Sequence, residues 1–275
     1  MSLNLGTKVI LVAAGVAVIG GTIARGSQAE KKAPLAFEVA SVKPSDPAAR
    51  GGGIRVLPGG QTYVANNVPL KLMIKLMYKI TDTQIVGGPD WMNTDRFDVR
   101  AKAENPTNLD ELHEMFQTLL ADRFKLEFHR ETRALPAFVL AVDKSGSKMK
   151  SNESPEPFEI PIKLASGGRP PEPLRFAGTR VPMSYLTWWL GQTAFRPAAD
   201  RPVLDKTGLA GFYDFTLEFA PDLSGLTTPD GQAPPQFDGP TIFTALREQL
   251  GLKLESAKAP VEVFVIDRAE KPTEN

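Results

Sequence analysis

The tetrapeptide Asp-Lys-Thr-Gly at residues 205–208 is the stretch of this sequence most suggestive of chemistry. In ion-pumping ATPases an aspartate in this context is phosphorylated, and in penicillin-binding proteins a Lys-Thr-Gly strand lines the acyl-transfer site. Phosphorylation would need a membrane-spanning transport domain and further acidic Mg²⁺ ligands, and the sequence shows neither. Acyl transfer would need a serine that opens a buried helix, whereas the Ser-x-x-Lys at residues 145–148 lies in a polar segment. We interpret residues 205–208 as a corner between two strands, in which Asp205 and Thr207 hydrogen-bond the local backbone.

The two histidines, His113 and His129, show no pattern typical of a metal site or a catalytic triad. A metal site needs three or four converging ligands, and the sequence has no His-x-x-x-His spacing and no cysteine. No Gly-x-Ser-x-Gly motif marks a nucleophilic serine. We interpret both histidines as ordinary surface residues, and the sequence predicts no catalytic residue, no metal ligand and no cofactor.

Glycines cluster at residues 50–61, RGGGIRVLPGGQ, where a phosphate-binding loop is the alternative to consider. The segment lacks Gly-Lys-Ser/Thr and leads into a strand rather than a helix, so its amides would not gather around an anion. It is therefore interpreted as a hairpin or a mobile loop.

The tryptophans Trp91, Trp188 and Trp189 are weak candidates for binding residues. Adjacent residues on a helix point about 100° apart, so Trp188 and Trp189 cannot both face the centre of one core. One of them is expected at an interface, either between two parts of the chain or with a partner. Interdomain packing and ligand stacking both stay open as its role.

The first 29 residues are predicted to be a secretory signal peptide. Lys8 precedes an apolar run at residues 9–24, and the small residues Ser27 and Ala29 suit signal peptidase. An uncleaved anchor is the alternative, and membrane contact is then expected only through residues 1–29. Both readings predict a periplasmic or otherwise extracytoplasmic protein. The 32 basic and 32 acidic residues balance, which gives no reason to expect a nucleic-acid partner.

The remaining sequence repeats one order of elements, β-α-β-β-α-β-β. Three landmarks recur in the same order: Val68-Pro69 with Val181-Pro182, Phe97-Asp98-Val99 with Tyr213-Asp214-Phe215, and Phe124-Lys125-Leu126-Glu127 with Leu252-Lys253-Leu254-Glu255. We predict an α+β fold of two tandem units whose helices pack on small mixed sheets. The predicted parts are a first repeat at 35–143, a Pro/Ser/Gly-rich connector at 144–173, a second repeat at 174–268 and a tail at 269–275.

Two segments of the first repeat have the periodicity of amphipathic helices. Leu70, Met73, Ile74 and Met77 share one helical face, and so do Leu112, Phe116, Leu119 and Leu120. The strands expected to close the repeats are residues 124–132 and 137–143 in the first, and residues 252–256 and 261–267 in the second.

Several phrases together resemble an uncharacterised domain family abundant in soil acidobacteria, of the Soli_Ter type. They are GGPDW, LLADRFKL and DKTGLAGFYDF, and the resemblance covers residues 37–275. That family has no established activity, so the resemblance implies no catalytic residues. Each half is also similar in element order to the short N-terminal signalling domains of secretins and TonB-dependent receptors, which implies an interaction module of the periplasm.

We therefore expect an exported, non-enzymatic binding or interaction module, engaged in envelope sensing or signalling, with an envelope protein as partner. The alternative is an extracytoplasmic hydrolase-like enzyme with a site between the two halves. A buried histidine or carboxylate with a strongly shifted pKa in that position would favour the enzyme.

Overall fold

The computed structural model describes residues 34–155, 160–192, 201–224 and 231–273. The predicted signal peptide lies outside these residues. Twelve strands and five α-helices form within them, which confirms the predicted α+β class. The strands are β1 (Val39–Pro44), β2 (Gly53–Val56), β3 (Thr62–Pro69), β4 (Ile85–Gly87), β5 (Arg96–Lys102), β6 (Glu127–Val142), β7 (Lys150–Ser151), β8 (Ile162–Ser166), β9 (Leu174–Pro182), β10 (Val203–Asp205), β11 (Phe212–Phe219) and β12 (Leu252–Arg268). The helices are α1 (Leu70–Met77), α2 (Trp91–Thr94), α3 (Leu109–Phe124), α4 (Met183–Leu190) and α5 (Ile242–Ala245).

The strands form three four-stranded sheets, in the orders β1-β5-β3-β2, β10-β6-β12-β4 and β7-β11-β9-β8. The first sheet comes from the first half of the chain (residues 34–143) and the third from the second half (residues 144–273). The middle sheet is shared, because β6 pairs with β12 along its length. β4 of the first half runs parallel to β12, and β10 of the second half runs parallel to β6.

This shared sheet joins the two halves, and the described residues form one compact unit. The predicted connector at 144–173 contributes β7 to the edge of the third sheet beside β11, and β8 to its other edge beside β9. The predicted limits of the two repeats stay a prediction.

The expectation of two closing strands in each half is wrong, because β6 and β12 are each one continuous strand. Pro136 and Pro260 lie inside these two strands, although proline cannot donate to a strand ladder. Phe138 donates its backbone N–H to Pro202 beside β10, so by the alternation of a strand Pro136 also faces away from β12. Ala134 has the same orientation and is opposite Pro260, which therefore faces away from β6. Neither proline removes a hydrogen bond between the two long strands.

Two hydrophobic cores lie on the two sides of the fold, and the predicted helix faces are buried in the first. The four residues of the predicted apolar face of α1, and the four of that of α3, are each at most 5 % exposed. α3 begins after Asn108, whose side chain accepts the backbone N–H of Glu111, and ends at Lys125 in a left-handed conformation. The second core forms around α4, α5 and the turn at Leu246–Leu250.

The Val-Pro and Asp landmarks of the two halves build the same local geometry. Asn67 and Arg180, which precede the two Val-Pro pairs, have left-handed φ values of 51° and 48°. Asp98 accepts the backbone N–H of Asn67 at 2.9 Å, and Asp214 accepts that of Arg180 at 2.8 Å. The predicted repeat stays a prediction, and in the second half the hydrogen bond to Asp214 fixes the backbone of Arg180 just before α4.

Residues 205–208 turn the chain between β10 and β11, as predicted. Asp205 Oδ1 accepts both the backbone N–H and the hydroxyl of Thr207, at 2.8 and 2.7 Å. Gly208 and Gly211 have φ values of 68° and 84°, which a side chain would disfavour. The interpretation of this motif as a corner is confirmed.

Candidate functional site

A cleft lies between the first half and helix α4 of the second half. Its larger part, the apolar cavity, has a volume of about 150 Å³. Its smaller part, the charged pocket, has a volume of about 70 Å³. Both parts are lined by Leu109 and Tyr185, so they adjoin. The apolar cavity is lined by Ile54, Arg55, Val56, Tyr63, Leu76, Leu109, His113, Ile160, Tyr185 and Trp188. The charged pocket is lined by Lys79, Leu109, Asp110, Pro161, Thr179, Arg180, Pro182, Ser184, Tyr185 and Phe212.

A buried Tyr63–His113 pair forms one wall of the apolar cavity. The Tyr63 hydroxyl lies 3.1 Å from His113 Nε2, and the residues are 5 % and 6 % exposed. A phenol hydroxyl is a stronger donor than an imidazole N–H, and an imidazole nitrogen is a stronger acceptor than a phenol oxygen, so we assign the Tyr63 hydroxyl as the donor to Nε2. The imidazole proton then resides on Nδ1.

The pKa of His113 is lowered to about 4, mainly by burial and to a smaller extent by the positive charge of Lys79, against the opposing effect of Asp110. At neutral pH the imidazole is therefore uncharged. Burial also raises the pKa of Tyr63, with Tyr185 as a smaller contribution, and it raises the pKa of Tyr185 to about 12. The walls of the cavity thus carry polar atoms but no charge from this pair.

The interpretation of His113 as a surface residue is wrong. Glu111 and Glu114 beside it in sequence suggested an exposed face, but His113 lies at i−3 and i−7 from the buried residues Phe116 and Leu120. Helical periodicity therefore placed it on the buried face, and this signal was available in the sequence. His129 is exposed as predicted, with Nδ1 2.8 Å from Asp267 and Nε2 3.2 Å from Glu131, and Asp267 and then Glu131 raise its pKa.

Three buried side-chain nitrogens lack a hydrogen-bond partner among the residues described here, and all three belong to residues that line the cleft. They are Nδ1 of His113, Nε1 of Trp188 and Nε of Arg180. With the tautomer assigned above, each carries a proton and is a donor. A buried unsatisfied donor costs about 1–3 kcal/mol. Oxygen atoms of a molecule that displaces the atoms covering these nitrogens would satisfy all three donors.

Arg180 is held in place although its Nε is free of protein acceptors within the described residues. Its Nη1 donates to the backbone oxygens of Asn152, at 3.3 Å, and Ser154. Its guanidinium carbon lies 4.0 Å from the centre of the Phe212 ring. The second cation of the charged pocket, Lys79, pairs with Asp110 at 2.5 Å.

The three predicted tryptophans lie in three different places. Trp91 packs edge-on against Phe97 at 6.1 Å, outside the cleft. Trp189 is buried in the second core, edge-on to Phe176 at 4.9 Å. Trp188 lines the apolar cavity, edge-on to Tyr185 at 5.2 Å. The adjacent tryptophans therefore diverge as predicted, and of the three tryptophans only Trp188 lines the cleft.

The glycine-rich segment of the sequence lies at the border of the cleft. In the glycine-rich segment, β2 pairs with β3 as a hairpin, and its residues Ile54 and Val56 reach the cavity. No three His, Asp or Glu side chains of the described ranges are grouped as a metal site. The same ranges contain no helix with the length and apolar character needed to cross a membrane.

Sequence reasoning did not identify Tyr63, Arg180 or Tyr185 as site residues. Tyr63 and Tyr185 lie in different halves, so no local sequence pattern places them together. Arg180 had one usable signal, since it precedes the Val-Pro landmark that opens a helix.

Comparison with known proteins places this arrangement in a family. No curated protein and no solved structure matches the sequence. A family model described as a protein of unknown function, DUF3738, matches residues 71–269, which is more than half of the 275 residues. The match includes His113, Arg180 and Trp188, and it confirms the expectation of an uncharacterised domain. The chain belongs to the DUF3738 family of proteins of unknown function.

Proposed function

We propose that this chain is an exported, non-enzymatic binding protein whose site is the cleft between its halves. The observation that carries the proposal is that three residues with buried, unpartnered nitrogens line one largely apolar cleft. Ligand sites combine apolar walls with a few placed polar groups, as this cleft does. A ligand that brings oxygen acceptors would satisfy donors that the described part of the protein leaves unsatisfied.

Binding accounts for the Tyr63–His113 pair better than catalysis does. A general base works best with a pKa near the operating pH, whereas burial lowers the pKa of His113 to about 4. The hydroxyl within reach of Nε2 belongs to Tyr63, whose pKa is raised, so this hydroxyl is a poor nucleophile. Among the described residues, no carboxylate orients Nδ1. The hydrolase remains the alternative, since a buried histidine with a shifted pKa does lie between the halves.

Export and an envelope partner complete the proposal. The signal-like residues 1–29 support export, and the resemblance to Soli_Ter-type proteins and to periplasmic signalling domains supports a role in envelope sensing. Edge strand β8 supports a partner, because Leu164 on it is 54 % exposed and nearby Ile160 is 52 % exposed. A partner strand could pair along this edge. Because Ile160 also borders the cavity, the partner would contact a residue that the bound ligand contacts.

The binding proposal is tested by blocking the cavity with a larger ring. Leu76 on α1 lines the cavity, and Leu72 on the same helix is also partly buried but lies outside it. Saturation-transfer NMR with a panel of phenyl-bearing alcohols, ketones and acids should detect binding to the wild type and to Leu72→Trp. Leu76→Trp should lose at least about 90 % of the signal, because the indole fills a cavity large enough for one aromatic ring.

Two results would contradict the binding proposal. One is that no member of the panel binds the wild type, and the other is that Leu76→Trp binds as Leu72→Trp does. Adding phenylpropyl acetate to the panel tests the hydrolase alternative. Release of the alcohol by the wild type, and not by His113→Gln, would favour that enzyme over a binding protein.

A further inference from the structure

The apolar cavity has the size and walls of a site for one aromatic ring. A cavity of 150 Å³ lined by apolar side chains can hold benzene, and this cavity has about that volume. Tyr63, Tyr185 and Trp188 contribute aromatic surfaces to it. Aromatic rings favour edge-to-face contacts with other aromatic rings. A flat ring therefore fits this part of the cleft better than a flexible polar chain.

The charged pocket beside the cavity has the chemistry of a carboxylate site. Arg180 and Lys79 provide two positive charges against the one negative charge of Asp110, so the pocket has an excess of one positive charge. The Lys79–Asp110 pair already satisfies Lys79, and this leaves Arg180 as the cation available to a ligand. Because the Nε edge of a guanidinium matches the two oxygens of a carboxylate, an acid can bind Arg180 through paired hydrogen bonds.

Arg180 is also preorganised for this role. The carbonyls of Asn152 and Ser154 hold Nη1, and the Phe212 ring supports the guanidinium face. The backbone N–H of Arg180 donates a hydrogen bond to Asp214, and this fixes the backbone from which the side chain extends. A ligand acid therefore meets a guanidinium whose position is already set, which reduces the entropy lost on binding.

We infer that the ligand of this cleft is a small aromatic carboxylic acid whose ring carries an oxygen substituent. Its carboxylate binds Arg180 in the charged pocket, and its ring lies in the apolar cavity. The ring oxygen accepts hydrogen bonds from Trp188 Nε1 and His113 Nδ1. This inference rests on the proposed binding function and adds the chemical class of the ligand.

Titration calorimetry at pH 7 with two probes tests the inference. The acid 3-(4-hydroxyphenyl)propanoate and the alcohol 3-(4-hydroxyphenyl)propan-1-ol share a ring and a chain length, and they differ in the charged group. The wild type should bind the acid about 10- to 100-fold more tightly than the alcohol, the range expected for a charge-assisted hydrogen bond of about 1.5–3 kcal/mol. Arg180→Gln should bind both probes with nearly the same affinity.

Binding of the alcohol shows that the cavity is intact, since the ring of the alcohol binds without a contact to Arg180. If Arg180→Gln no longer binds the alcohol, Arg180→Lys replaces it, because lysine keeps the charge and loses the paired donors. This variant should reduce the preference for the acid by about tenfold.

The outcomes separate the two proposals. Equal affinity of the wild type for acid and alcohol overturns the inference and leaves the binding function standing. An acid preference unchanged in the folded Arg180 variants also overturns it. Failure of both probes, together with failure of the wider panel, overturns the binding function itself.

Discussion

Acidification from pH 7 to pH 4 is expected to lower the free energy of unfolding by up to about 3 kcal/mol through His113 alone. The pKa of this buried imidazole is about 4 in the folded protein, against 6.5 as its ordinary value. Between these two pH values the unfolded chain takes up a proton that the folded protein does not, so protons favour unfolding. The contribution of His113 is fully present above pH 6.5 and is lost as the pH falls toward 4.

The groups around His113 determine the size of this effect. The hydroxyl of Tyr63, on β3, is hydrogen-bonded to Nε2 of His113, and Tyr63 stays neutral throughout this pH range. Lys79, after α1, disfavours the protonated imidazole, and Asp110, one turn earlier on α3, favours it. Because Asp110 is 69 % exposed, it compensates for only part of the burial.

Urea unfolding at pH 7.0 and pH 4.5 measures the effect when the wild type is compared with His113→Gln. Glutamine can still bond the Tyr63 hydroxyl, and it does not titrate. The loss of stability on acidification should be smaller in the variant, and the difference is the part due to His113. Carboxylates and the exposed His129 are the same in both proteins, so their effects cancel. An equal loss in both proteins would show that His113 is not buried in its neutral form.

Replacing Phe116 by alanine is expected to destabilise the protein by about 3–5 kcal/mol, the usual cost of removing a buried phenylalanine ring. Phe116 is fully buried on α3, and its ring is edge-on to Tyr63 at 5.2 Å and to Phe37 at 6.3 Å. The substitution also removes the ring that holds Tyr63 against His113. Ligand binding should therefore weaken together with stability.

Phe124→Ala is the matched control for this second effect. Phe124 is equally buried at the end of the same helix, but its ring packs on Phe97 at 5.1 Å, away from the cleft. Both variants should lose similar stability in denaturant unfolding. The milder variants Phe116→Leu and Phe124→Leu, once shown to be folded by circular dichroism, allow binding of the aromatic panel to be compared. Equal affinities in these two variants would mean that Phe116 does not support the site.

Local patterns predicted much of this fold, because they depend on neighbouring residues. The period of α1 and α3 followed from apolar residues at helical spacing, and the corner at residues 205–208 followed from its Asp, Thr and Gly side chains. The break predicted between residues 132 and 137 does not occur, because the position of Pro136 that lacks an N–H faces away from β12. Which side a strand residue faces depends on its neighbouring strands, and sequence spacing does not contain that information.

The site was less predictable because it is assembled from distant residues. Trp188 was a candidate because adjacent tryptophans must diverge on a helix, and its place between the halves agrees with that reasoning. Tyr63 and His113 are separated by 50 residues, and they meet through the packing of α3 on the first sheet. The pairing of β4 with β12 and of β10 with β6 brings α4 to this surface, and no local pattern indicates such a long-range parallel pairing.

The indole N–H of Trp188 allows the most direct test of the account. In a ¹H–¹⁵N spectrum of the protein each of the three tryptophans gives one indole signal, and Trp188→Phe identifies that of Trp188. Saturation with 3-(4-hydroxyphenyl)propanoate should move the Trp188 signal downfield, as a hydrogen bond to the ligand forms, while the signals of Trp91 and Trp189 stay in place. A ligand that binds and leaves the Trp188 signal unmoved, or that moves the signal of Trp91 or Trp189 instead, would contradict a binding site in this cleft.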